Sequence, residues 1–272
     1  MDEVGYWSEV KLDIIKQYAG AYSKILAAQK PPLEHHYIDA FAGAGVHLAK
    51  RTGGYIAGSP LNALNITPAF KRYHLIDMDG ERASNLRKLT EQSEGVTVHE
   101  GDCNEVLLTE VFPTIRYENY QRALCILDPY KLNPNWDVVA AAGKMKCVEI
   151  FLNFMVMDMN MNVLWKKPEG VAPAQIERMN QFWGDDSWRK AAYREEMELF
   201  GPREEKTTNE DVVEAYRERL KNVAGFNYVP KPMPMRNSTG ATIYYLFFAS
   251  PNATGGKIVE EIFERYRQRG IR

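Results

Sequence analysis

Four short apolar runs in the first half of the chain each end on an acidic residue, and their order is the strongest constraint on the fold. Tyr37-Ile38-Asp39-Ala40-Phe41 runs into Ala42-Gly43-Ala44-Gly45. Tyr73-His74-Leu75-Ile76 ends at Asp77 and Asp79, and Val96-Thr97-Val98-His99-Glu100 ends at Gly101-Asp102-Cys103-Asn104. Residues 122–127 end at Asp128-Pro129-Tyr130. Residues 80–92, 105–110 and 135–146 separate these runs and read as helices, the last with Ala140-Ala141-Ala142 on its packing side. Val148–Phe154 reads as a fifth strand. This alternation predicts a mostly parallel sheet covered by helices on both faces. Ligands of such sheets bind beyond the carboxyl ends of the strands, where strand order reverses. The acids would then line one sheet edge as hydrogen-bond acceptors.

The flanking segments fit this scheme. Val10, Ile14, Ile15, Tyr18, Tyr22 and Ile25 recur at spacings of three and four, predicting a helix over 6–29 that Pro31-Pro32 ends. Residues 46–59, with Gly53-Gly54 and Gly58-Ser59-Pro60, read as a loop. Ser59 suits a helix N-cap with Pro60 at the first helical position, opening a helix over 60–66. Residues 155–205 hold six methionines and three of the five tryptophans and read as a helical insertion. A helix over 208–223 follows. Strands over 226–235 and 242–249, joined by Arg236-Asn237-Ser238-Thr239-Gly240, make a hairpin signal, and a helix over 255–269 closes the chain. The expected architecture is α/β: a doubly wound, Rossmann-like, mostly parallel seven-stranded sheet with a C-terminal antiparallel hairpin and a helical insertion after strand five. Residues 1–154 would form the N-terminal helix and ligand-binding core, 155–224 the insertion, and 225–272 the strands and helix that complete the sheet.

Composition narrows the function classes. No apolar run reaches the ~18 residues a bilayer span needs. The start, Met1-Asp2-Glu3, lacks the basic-then-apolar order of a signal peptide, so a cytoplasmic protein without membrane contact is expected. The three cysteines, Cys103, Cys125 and Cys147, are odd in number and lack CxxC spacing, which argues against disulfides and zinc. The formal net charge is −2, so any nucleic-acid contact must be local. Arg265, Arg267, Arg269 and Arg272 are offset by Glu260, Glu261 and Glu264 and read as a solvated helix face.

The residue types at the strand ends suit a nucleoside-like ligand. A carboxylate after the second strand can accept from both ribose hydroxyls, and one after the third can accept from an adenine amine. Glycines let the backbone approach a ligand closely. Gly43-Ala44-Gly45-Val46-His47-Leu48 lacks the third glycine of a dinucleotide fingerprint. Acidic neighbours would repel a pyrophosphate and tolerate a sulfonium, favouring S-adenosylmethionine over NAD. A tight turn without a ligand is the alternative. At Asp128-Pro129-Tyr130 the carboxylate and the proline carbonyl can accept from an amino group, and the tyrosine face can stack on a planar base. The alternative is a turn that closes a strand, with Tyr130 packed in the core.

The runs Tyr6-Trp7-Ser8-Glu9-Val10-Lys11-Leu12, Tyr37–Gly43, Gly58-Ser59-Pro60-Leu61, Ile76-Asp77-Met78-Asp79, Leu127-Asp128-Pro129-Tyr130, Phe151-Leu152-Asn153-Phe154 and Met157-Asp158-Met159-Asn160 together resemble the three-Cys-motif partner protein family (TcmP). The cysteines of that name belong to a neighbouring partner protein. The resemblance covers most of residues 6–165 and implies a class I S-adenosylmethionine-dependent methyltransferase fold. Asp128-Pro129-Tyr130 also resembles the D-P-P-Y motif of amino-methyltransferases acting on adenine or cytosine, with one proline fewer. Together the residues and the resemblance give Asp39, Phe41, Ala42, Gly43, Gly45, Ser59, Asp77, Met78, Asp102 and Cys103 as candidate cofactor contacts. Asp128, Pro129 and Tyr130 are the candidate catalytic residues, and Asn153, Asp158 and Asn160 the candidate substrate contacts.

Trp165, Phe182, Trp183 and Trp188 either stack on a substrate or form the core of a helical cap. Asp158 and Asn160 either hold substrate or order that cap. The five histidines, His35, His36, His47, His74 and His99, form no helical metal pair, so no metal is expected. His47 lies nearest the glycines and is a candidate general base. The leading expectation is methyl transfer from S-adenosylmethionine to an amino nitrogen, with a nucleobase in nucleic acid as one acceptor. The rival is an accessory protein of the same fold that serves a three-Cys-motif partner without turnover. A dinucleotide oxidoreductase is disfavoured by the missing glycine.

Overall fold

Strands buried on both faces are mostly apolar, and the central strands of this chain are, with His35, His36, Asp39, Glu149 and Asn153 as their buried polar exceptions. The computed structural model describes residues 3–4, 6–49, 54–198, 201–237 and 239–268. In chain order the first half runs β1 (Glu3–Val4), α1 (Tyr6–Ala27), β2 (Glu34–Asp39), β3 (Val46–Ala49), β4 (Tyr55–Ala57), α2 (Ser59–Leu64), β5 (Arg72–Asp77), α3 (Gly80–Leu89), β6 (Val96–Glu100), α4 (Cys103–Val106), β7 (Gln121–Leu127), α5 (Trp136–Met145) and β8 (Val148–Phe154). The second half adds α6 (Val156–Asn162), α7 (Pro173–Trp183), α8 (Trp188–Ala192), β9 (Tyr193–Glu198), β10 (Gly201–Lys206), α9 (Asn209–Asn222), β11 (Met233–Arg236), β12 (Thr242–Ala249) and α10 (Ala253–Gln268).

The main sheet has the order β11-β12-β8-β7-β2-β5-β6. β12 runs antiparallel to both β11 and β8, and the other neighbouring pairs of this sheet are parallel. This is the doubly wound seven-stranded sheet expected, with its C-terminal hairpin. Strand periodicity divides the core in two. Ile38, Cys125, Ile150 and Leu152 face one layer with Phe154, Trp183 and Tyr216. Tyr37, Leu124, Ile126 and Phe151 face the other, with Tyr18 of α1 and Phe263 of α10. The chain places β5 and β6 on one side of β2, then returns to place β7 and β8 on the other. The switch in winding falls between β2 and β7, and the carboxyl ends diverge there.

Several local expectations are corrected. The stretch 46–59 is not only loop: β3 and β4 pair antiparallel, and β1 joins β3 in parallel. Strands this short carry too few residues to show a period, and Gly53 lies outside the described residues. The insertion is not all helical, because β9 and β10 form an antiparallel hairpin. Its strands are rich in charge, with Arg194 opposite Glu205 in register, so hydrophobic alternation does not reveal it. Of residues 226–235 only 233–235 join β11. Pro230 and Pro232 cannot donate to a ladder, and Tyr228 makes an isolated bridge to Ser250. Residues 107–111 widen into a π-helical turn after α4. Gly58, not Ser59, is the N-cap of α2. Ser238, Arg269 and Arg272 lie outside the described residues.

The insertion's aromatic residues divide as well. Phe182, Trp183 and Trp188 are buried with the sheet in one core, whereas Trp165 is exposed. Cys103, Cys125 and Cys147 are buried free thiols. Among the described residues no helix is long and apolar enough to cross a membrane.

A buried carboxyl ties both ends of the chain to the sheet. Glu149 of β8 accepts from Tyr18 Oη and from Ser250 Oγ, the latter at 2.7 Å. Burial raises its pKa from 4.5 to about 7, and the two hydroxyls offset only part of that rise. Above pH 4.5 the unfolded chain releases this proton while the native state keeps it until about pH 7. Stability is therefore lost across that window as pH rises. We expect the urea midpoint to fall between pH 5 and pH 8, by the equivalent of about 1–3 kcal/mol, and Glu149→Gln to flatten the dependence. An unchanged slope in the variant would refute the assignment.

Candidate functional site

A cavity of about 650 Å3 opens at the carboxyl ends of the parallel strands, across the switch between β2 and β7. Five consecutive parallel strands reach it. The end of β2 supplies Ala40 to Gly43, β5 supplies Asp77 to Asp79, and β6 supplies Gly101 to Cys103. The end of β7 supplies Asp128 to Lys131, and β8 supplies Asn153 with Met155 beyond it. Ser8 and Lys11 of α1, His47 of β3, Ser59 of α2 and Tyr244 of β12 close the sides.

The first half of the cavity is built on carboxylates that hold backbone. Gly43 has φ +63°, a conformation glycine adopts without strain, and a Cβ there would meet nothing within 4 Å. Its amide donates to Asp77 Oδ2 at 2.9 Å, and Asp79 N donates to Asp77 Oδ1 at 2.9 Å. Asp79 caps α3, accepting from Arg82 N at 3.0 Å. Asp102 caps α4, accepting from Asn104 N at 2.7 Å. These acids therefore fix the loops while facing the cavity. Met78 and Cys103 give the same wall apolar surface, and burial raises the Cys103 thiol to about 12.

Two glycine-loop candidates do not reach the wall. Asp39 is fully buried behind it, with Oδ1 accepting from Phe41 N at 3.3 Å and the Ser59 hydroxyl against the carboxyl. Burial lifts its pKa to about 6, against the opposing pull of those donors. Gly45 has φ +78° and receives Gly58 N on its carbonyl at 2.9 Å. A Cβ there would press on Leu86 and Leu89 at 3.2 Å, so the glycine permits close packing of the hairpin on α3.

The second half centres on Asp128. Lys11 Nζ donates to Asp128 Oδ2, and Asn153 Nδ2 donates to Asp128 Oδ1. Burial opposes the Lys11 charge, but the Asp128 carboxylate outweighs it and holds the ammonium pKa above its ordinary value. The ammonium also lies 5.6 Å from the centre of the Tyr244 ring. The Tyr244 hydroxyl is buried and has no hydrogen-bond partner. Pro129 is buried beside Asp128, and Tyr130 stands exposed at the mouth.

Asp158 and Asn160 lie off this wall. Asp158 pairs with Arg178 at 3.0 Å and accepts from Leu132 N at 3.3 Å. Asn160 donates to Asn209 Oδ1 at 2.9 Å and accepts from Lys206 Nζ at 2.6 Å. Both order the insertion. The sequence reading missed Lys11 and Tyr244 as site residues. For Lys11 a signal existed: positions 11, 15, 18 and 22 share one helix face, so this lysine interrupts an apolar stripe. Among the described residues no group of three or more His, Cys, Asp or Glu could hold a metal.

No family model matches the sequence, and no curated protein matches it. Among solved structures, the protein LPL1258 from Legionella pneumophila str. Philadelphia 1, described as family-model DUF519, superposes with a TM-score of 0.51 at 12% identity, covering 94% of this chain and 91% of its own. That likeness is one of fold. An S-adenosylmethionine-dependent methyltransferase from Clostridium acetobutylicum ATCC 824 superposes more loosely, with a TM-score of 0.37 at 12% identity over 86% of this chain and 92% of its own. The DszA carbon methyltransferase gives 0.44 at 13% identity over 88% of this chain and 54% of its own.

Removing one member of a buried ion pair leaves the other charge without an answer. Because Asp128 is partly solvated, Lys11→Met should destabilise by about 2–4 kcal/mol rather than the full buried-pair penalty. Lys11→Met combined with Asp128→Asn should recover part of that loss. A double-mutant cycle by urea unfolding measures the coupling, and additive losses would mean that the pair is not coupled.

Proposed function

We propose that this chain is an S-adenosylmethionine-dependent methyltransferase acting on an amino nitrogen, with the planar amine of a nucleobase as acceptor. The observation that carries the reading is a carboxylate, Asp128, held by Lys11 and Asn153 within the same cavity as the glycine loop. The fold supports it, because the cavity lies at the switch point where open α/β sheets bind their ligands. The resemblance of the sequence to the TcmP family points the same way.

The residues present fit the cofactor. The backbone at Gly43 is open to close approach, and Asp77, Asp79 and Asp102 offer acceptors beside the apolar Met78 and Cys103. Bound there, S-adenosylmethionine would supply an electrophilic methyl group on a sulfonium. Asp39 would act from behind the wall by shaping the loop.

The chain's own contribution is positioning. Each Asp128 oxygen has two lone pairs and one donor in place, so each can accept once more. Lys11 and Asn153, one on each oxygen, fix the plane of the carboxylate. An amine hydrogen-bonded to Asp128 and to the Pro129 carbonyl would point its lone pair toward the glycine-loop half of the cavity. Tyr130 would cover the face of the base. An amino group reacting this way must shed a proton, and Asp128 is the acceptor nearest to it.

The second reading is an accessory protein of the same fold, serving a three-Cys-motif partner. The donor on each Asp128 oxygen favours it, because a purely structural carboxylate would also hold one.

Calorimetry with S-adenosylmethionine and transfer of labelled methyl into fractionated nucleic acid, protein and small molecules separate the two. We expect binding in the micromolar range and label in the nucleic-acid fraction. Asp128→Asn should lower transfer by roughly 100-fold or more while cofactor affinity stays within about threefold. Binding without transfer into any fraction would favour the accessory reading, and absence of binding would sink both the cofactor and the reaction.

A further inference from the structure

The outward face of α6 is apolar where an exposed helix is ordinarily polar. Met157 is 40% exposed, Met161 63% and Trp165 42%. Their spacing of four puts them in one row, and the Trp165 indole donates to the Met161 carbonyl at 2.9 Å, which carries the row past the helix end. Val156, Met159 and Val163 take the buried side.

It begins at the cavity. Met155, just before α6, lines the cavity wall, and Asp158 of α6 holds the amide of Leu132 in the loop that carries Tyr130. Tyr130 is 69% exposed at the cavity mouth. The apolar row therefore continues the line that a chain molecule would follow on leaving the cavity over Tyr130.

Cations flank both ends of the row. Lys131 follows Tyr130, and Lys166 and Lys167 follow Trp165; all three are exposed and none has an acidic partner among the described residues. The Lys206 ammonium is close enough to Lys166 for the two charges to repel, which adds to the effect of burial in lowering the Lys206 pKa. The nearby Asp158 is already claimed by Arg178; along the chain the nearest acid to Lys166 and Lys167 is Glu169, and to Lys131 it is Asp128, which Lys11 holds. Flat or polarizable apolar groups between unpaired lysines suit alternating base faces and phosphates.

We propose that this row is the docking track for a single-stranded nucleic acid whose target base enters the cavity. The proposal rests on the reading of the cavity as a nucleobase site. Bases flanking the target stack on Trp165 and lie against Met161, and their phosphates meet Lys131, Lys166 and Lys167. A duplex hides its base faces and can use only the lysines. The chain's net charge of −2 is compatible with this, because the basic groups are local.

Fluorescence anisotropy with a short labelled single strand, as RNA and as DNA, and with the matching duplex tests the track. We expect either single strand to bind more tightly than the duplex. Trp165→Ala should weaken single-strand binding about tenfold. Lys166→Glu with Lys167→Glu should weaken it at least tenfold and reduce the salt slope by about two. Both variants should leave calorimetric binding of S-adenosylmethionine within about twofold of the parent. Trp165 also packs on Gly170, so the exposed lysine pair decides the matter if Trp165→Ala fails to fold. Equal binding of duplex and single strand, or no loss in the lysine variant, would overturn the proposal. So would a dimer in sedimentation that Trp165→Ala dissolves, since the row would then be covered by a second copy. Strand binding in a protein that does not bind S-adenosylmethionine would overturn the methyltransferase reading and uphold the track.

Discussion

The Lys11 ammonium sits among apolar side chains with one carboxylate to answer it, and three elements depend on that contact for their relative placement. Lys11 comes from α1, Asp128 from the end of β7 and Asn153 from β8. A buried charge is tolerable only when paired and hydrogen-bonded. The packing of α1 against the sheet must therefore bring Lys11 within reach of Asp128. The same helix is fixed from its middle by Tyr18 on Glu149. Together with the buried contact between Ser23 Oγ and His35 Nε2 of β2 at 2.9 Å, these polar contacts set the rotation of α1 on the sheet.

The acids at the strand ends serve the fold and the cavity together. Asp77 joins the glycine loop after β2 to the end of β5 through Gly43 N, and Asp79 and Asp102 cap the helices that follow. A carboxylate holding backbone amides is rigid, and rigidity is what a ligand site requires. The structural and functional accounts of these residues are therefore not rivals. The same argument separates Asp39 from the others: full burial and a pKa raised to about 6 make it a support for the loop.

The insertion after β8 likewise serves two ends. Its inner side adds Phe182, Trp183 and Trp188 to the core beneath the sheet, and its outer side leaves Met161 and Trp165 facing solvent beside the cavity. Asp158 and Asn160 hold the two sides in place through Arg178, Asn209 and Lys206. Polar residues near a cleft in sequence need not face it in space, because a helix turns each successive side chain by a large angle.

Periodicity and strand-end chemistry in the sequence alone determined the doubly wound sheet, its C-terminal hairpin and the edge on which the acids gather. These are local signals: the apolar runs of β7 and β8, the helical stripe of α1, and acids where apolar runs stop. The short β3 and β4, the charged hairpin β9–β10 and the widened turn at 107–111 left no such signal, since none shows a sustained hydrophobic period. Only the tertiary structure decided which acid does what. Asp128 meets Lys11 across 117 residues of chain and Asn153 across 25, and Asp39 is sealed while Asp77 lines the cavity. A carboxylate's role depends on which donors reach it and how much water remains around it, and both are set by contacts between segments distant in the sequence.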